Sequence, residues 1–152
     1  LVDRGLGLTQ LGWSWLLFHG AMALISWRVH TFVRWFSYRR LFALLPGCMA
    51  IAYIAMGLIE NLWGILLIVV IYLVRGCNTP LVLSYLNERI PSNLRATLIS
   101  LNSFAFRLLF IGLAAIANGA TWLWGLNGSL IVVGIVVGVT SLYGYLKLRP
   151  AL

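Results

Sequence analysis

The chain has 152 residues, 62% of them hydrophobic and 9% charged, with a mean hydropathy of +0.98, so there is too little polar surface to cover a water-soluble core and the lipid bilayer is the expected solvent. Lys and Arg number 11 against 3 Asp and Glu, a formal charge of +8, but the basic residues fall between apolar runs and form no aromatic-interleaved patch, which argues against a nucleic-acid partner. Cys48 and Cys77 stand in apolar segments with no CxxC and no His or Cys cluster, so no metal or other cofactor is expected and both read as small packing residues.

Taken in chain order, near-continuous apolar runs lie at residues 11–27, 41–59, 62–84, 96–118 and 126–146. Each is close to the ~20 residues needed to cross ~30 Å of hydrocarbon, and none alternates as a barrel strand would. Backbone groups in lipid must bond within their own segment, so the spans are expected to be helices. The expected fold is all-α, a polytopic membrane helix bundle of about five transmembrane helices in one domain. The chain opens at Leu1 without a basic stretch leading into a cleavable apolar one, and it reads as a fragment.

Orientation follows from the basic residues, because cytoplasmic loops retain Lys and Arg. Arg28, Arg34, Arg39 and Arg40 follow the first run, Arg89 and Arg95 separate the third from the fourth, and Lys147 and Arg149 end the chain. All of these fall on one side. The opposite side carries only Arg4, next to Asp3, with connections at Glu60 and around Trp122 to Asn127 that hold no Lys or Arg. The expected location is the cytoplasmic membrane, multi-pass, with the amino terminus outside and the carboxy terminus inside. Interfacial aromatics agree: Trp13, Trp15, Trp63, Trp122 and Trp124 fall toward the outer boundary, and Trp27, Trp35, Tyr38, Tyr85, Tyr143 and Tyr145 toward the inner one.

Residues 75–100 read RGCNTPLVLSYLNERIPSNLRATLIS, an unusual sequence for a plain anchor. Arg75, Asn78, Thr79 and Pro80 share one span; Ile90-Pro91 ends it, and Ser92 is placed to cap the next helix. The Arg-Gly, proline, Tyr-Leu-Asn, Pro and Arg-Ala-Thr of this stretch resemble the tenth and eleventh helices of major facilitator superfamily transporters. In that register the five runs resemble helices eight to twelve, which require the outside start and inside finish derived from charge. Two departures stand out: the basic loop His30 to Arg40 lacks the Gly and Asp of the family's loop between helices eight and nine, and helices one to seven are absent. The resemblance implies transport of a small solute by two rocking six-helix halves around a central cavity. One incomplete half would then need the missing amino-terminal half as its partner.

Arg107 falls about eleven residues into the fourth run, near mid-membrane, where an ionised side chain costs at least ~2.5 kcal/mol and must face protein or water. Ser100, Ser103, Arg107 and Asn118 share one stripe at helical spacing, either a wall of a solute cavity or a hydrogen-bonding seam between helices. Arg75, Asn78 and Thr79 share a face of the third run and offer donors to an anionic or polar solute group; snorkelling or a structural pairing of Arg75 is the alternative. The candidate substrate-binding residues are therefore Arg75, Asn78, Thr79, Ser103 and Arg107. His19 is the side-chain type that can serve proton coupling, although a single histidine in a span more often packs. Gly134 and Gly138 form a GxxxG pair continued by Ser141, a surface for close helix approach within the chain or between copies.

Three functions compete. A piece of a secondary transporter, inactive alone, explains the in-membrane polar residues. An enzyme would need a nucleophile with its base, paired acids or a metal cluster, and the sequence offers none, so no catalytic residue is expected. A small stand-alone membrane protein with a structural or interaction role is the alternative.

Overall fold

The computed structural model describes residues 7–59 and 64–148. Asp3, Arg4, Glu60, Trp63 and Arg149, which enter the orientation argument, lie outside them. The described residues are all-helical with no strand: α1 (Leu8–Trp35), α2 (Tyr38–Leu58), α3 (Gly64–Arg89) and α4 (Ser92–Leu148). Among the described residues three segments are long and apolar enough to cross a membrane, Tyr38–Leu58, Leu66–Arg89 and Ser92–Lys147.

At 1.5 Å per residue the 57 residues of α4 would extend ~85 Å, far beyond one bilayer crossing. Gly125 divides it, with φ 69° and ψ −175° inside otherwise helical backbone, a conformation that only glycine adopts readily. The Ser129 hydroxyl donates to the Ala117 carbonyl at 2.8 Å, twelve residues back. A straight helix would hold those residues ~18 Å apart. The chain therefore folds back at Gly125, inside the connection expected around Trp122 to Asn127, and leaves two arms, residues 92–124 and 126–148.

The segment His30 to Arg40 departs from the expected loop. Helix α1 runs on to Trp35, and α2 begins at Tyr38 after extended Ser37 (φ −57°, ψ 146°). Neither Gly nor Pro lies between Arg28 and Trp35, so nothing in the backbone stops the helix once its apolar residues end. Hydropathy marks where a helix leaves hydrocarbon, which need not be where it ends.

Packing runs in the order α1, α3, α2, second arm of α4. Small residues set each approach. A Cβ on Gly134 would sit 2.6 Å from Ile54 Cγ1 and 2.9 Å from the Ala50 carbonyl, and one on Gly57 would sit 2.7 Å from the Asn127 carbonyl. The GxxxG pair is thus used within the chain, against α2. Helix α1 approaches α3 as closely: a Cβ on Gly76 would sit 2.5 Å from Ile25 Cγ2 and 2.7 Å from the Met22 carbonyl.

Pro80 adds a polar element to that contact. It lies inside α3 and has no N–H, so the carbonyl four residues earlier, at Gly76, loses its helical donor. The Ser26 hydroxyl of α1 supplies the missing bond, donating to Gly76 O at 2.7 Å. Ser26→Ala is expected to cost about 1–2 kcal/mol by stranding this carbonyl, and Pro80→Ala to reduce that cost by restoring the intrahelical donor. Unfolding free energies of both single variants and the double variant in mixed micelles form the test, with strict additivity counting against the coupling.

Candidate functional site

Arg75 stands one residue before the Gly76 contact and is exposed, with its guanidinium in electrostatic reach of the Tyr53 hydroxyl of α2. One turn further, Asn78 is half-buried and Thr79 exposed. Ser100, Ser103, Arg107 and Asn118 occupy the first arm of α4, and all four are exposed. That arm shows apolar surface on nearly every side, including Leu109 at 69% and Phe110 at 70% exposure, and α3 touches α4 only lightly. No hydrogen bond among the described residues joins the α3 group (Arg75, Asn78, Thr79) to the α4 group (Ser103, Arg107). Among the described residues, Asn78, Thr79, Ser103 and Arg107 have no side-chain hydrogen bond.

His19 sits in an aromatic cluster instead. Its ring stacks on Trp15 with centroids 5.2 Å apart, meets Tyr72 edge-on at 5.2 Å, and its Nδ1 donates to the Trp15 carbonyl at 2.9 Å. Phe18 stacks on the same Tyr72 at 5.3 Å. These contacts give the histidine a packing role between α1 and α3.

A polar cluster that the sequence does not announce joins α2 to α3 at the ends carrying Tyr38 and Glu88. The Tyr38 hydroxyl donates to Glu88 Oε1 at 2.6 Å and lies 3.2 Å from Ser84 Oγ. Tyr38, Phe42 and Tyr85 pack with centroids 5.4 to 6.4 Å apart. The Arg89 guanidinium lies over Tyr85 at 4.7 Å, and Arg95 Nη2 donates to the Asn87 and Ile90 carbonyls at 3.0 and 3.3 Å, satisfying acceptors that the end of α3 leaves open. The signal in the sequence was the shared boundary position of Tyr38 and Tyr85; the partner of Glu88 depends on helix rotation and could not be read there.

A cavity of about 240 Å³ lies between α1, α2 and α3, with an entirely apolar lining that includes Val29, Leu41, Leu81 and both cysteines, Cys48 and Cys77. A groove of about 390 Å³ between α1 and α3 adjoins it and shares Ile25 and Leu73. Neither space is lined by the five candidate residues.

These features define a class, a helical bundle of membrane type whose polar residues divide between inter-helix bonds and an unpartnered surface. No protein-family model matches the chain, and neither a curated protein nor a solved structure matches it.

Proposed function

We propose that this chain is the carboxy-terminal part of a secondary transporter of major facilitator type, spanning the cytoplasmic membrane five times with its amino terminus outside, and inactive without an amino-terminal half. The observation that carries the reading is the first arm of α4. It is apolar enough for a membrane, yet it places Arg107 among exposed residues that no described helix covers. A cation at that depth is stable only against protein or water. An amino-terminal half would cover the arm and turn the Ser103 and Arg107 stripe toward a shared cavity, with Arg75, Asn78 and Thr79 on a neighbouring wall. Both arginines would then offer charge-assisted donors to a small polar or amphipathic solute.

The test compares solute uptake or efflux in cells expressing the chain alone and together with the amino-terminal half of a major facilitator transporter. A carboxy-terminal reporter exposed to the cytoplasm controls for insertion and orientation. Transport only in the pair is the expected result. Transport by the chain alone would refute the need for a second half, and an inserted but inert pair would favour a structural role.

A further inference from the structure

The apolar cavity and the groove beside it differ in polarity: the groove alone has a charged residue in its lining. The cavity is lined by three helices, is partly open and carries no charged residue, so it accepts hydrocarbon and offers nothing to a polar ligand. Ile25 and Leu73 line both spaces, which therefore lie side by side. Polarity enters only in the groove, through Arg28 and Thr31, both exposed. Its rim is otherwise apolar and outward-facing, with Leu24 at 65% and the neighbouring Trp27 at 75% exposure. Such a rim suits a ligand that is itself part of the bilayer.

Charge complementarity selects the ligand. Arg28 has no carboxylate partner among the described residues, where the one acidic side chain, Glu88, accepts from Tyr38 on another helix pair. Its recorded neighbour is the face of Trp27, 5.6 Å from the guanidinium carbon. A guanidinium beside a hydroxyl, at the mouth of a hydrocarbon slot, is a donor set suited to a phosphodiester. The groove alone, about 390 Å³, falls in the roughly 300–1,000 Å³ range of small-ligand sites.

We propose that this site holds one anionic phospholipid, with its phosphate on Arg28 and Thr31 and an acyl chain between α1, α2 and α3. Lipid retention read by native mass spectrometry of the purified chain, after exchange into mixed micelles containing phosphatidylglycerol or phosphatidylcholine, tests it. One phosphatidylglycerol is expected to be retained in preference to phosphatidylcholine. Arg28→Gln should weaken retention roughly tenfold or more, the effect of losing a charge-assisted contact. Leu73→Trp, which fills the junction of the two spaces, should abolish it with helicity unchanged by circular dichroism. Bound lipid should also slow maleimide labelling of Cys48 and Cys77, a readout independent of mass. Equal retention of both lipids, or an equal loss on Arg40→Gln, would reduce the effect to general electrostatics and overturn the proposal. Retention of a free fatty acid in place of phospholipid would overturn the phosphate assignment.

Discussion

Leucine at Gly134 is expected to push the second arm of α4 off α2 and to lower stability by about 1–3 kcal/mol. Two of the three atoms that its Cβ would meet, the Ala50 carbonyl oxygen at 2.9 Å and the Ile54 nitrogen at 3.0 Å, belong to backbone and cannot rotate away. Gly144, on the same arm, has nothing within 4 Å of its Cβ position. Gly144→Leu should accordingly stay within a few tenths of a kcal/mol of the parent. Unfolding by denaturing detergent, followed by tryptophan fluorescence, separates the two. If Gly144→Leu proved the more damaging, the face assigned to this arm would be wrong.

Arg107→Leu should move two measurements in opposite directions. Insertion of the fourth apolar segment, read by glycosylation mapping, should improve by about 3 kcal/mol, because an arginine at mid-span costs roughly 2.5–3.5 kcal/mol and a leucine gains a few tenths. Transport by the chain paired with an amino-terminal half should be lost, since the guanidinium would be the donor presented to that half or to the solute. Better insertion with full transport would leave Arg107 without a functional role. Unchanged insertion would mean that Arg107 already escapes hydrocarbon by snorkelling, and the mid-membrane argument would fail with it.

Hydropathy located the helical runs well where apolar composition and helix length coincide. The runs at 41–59 and 62–84 correspond to Tyr38–Leu58 and Gly64–Arg89, and the connection expected around Trp122 to Asn127 contains the break at Gly125. It failed at residues 28–35, where charged and aromatic residues continue a helix past the apolar run. Periodicity grouped Ser100, Ser103 and Arg107 on one stripe, but that arm is exposed on nearly every side, and a stripe does not name its partner. Pairing was legible only as an option. Gly134 and Gly138 advertised a close approach, whereas Ala50 and Ile54 as the surface they meet follow from the rotation of α2. Pro80 was legible as a proline within a span; its effect, opening the Gly76 carbonyl to Ser26, needed α1 in place.

The bond between Ser26 and Gly76 has a temporal side. Its partners are 50 residues apart in the chain, and at ~5–20 residues per second a ribosome takes roughly 2.5–10 s to make the interval. Of the four described helices α1 emerges first, but the one that it packs against is the third, and α2 comes between them without lying beside α1 to any extent. Through those seconds Ser26 is without its acceptor, and α1 has not met the helix it packs against. Its residence in the membrane then depends on the insertion machinery or the surrounding lipid, which makes α1 the step at which biogenesis of this protein is most exposed to quality control.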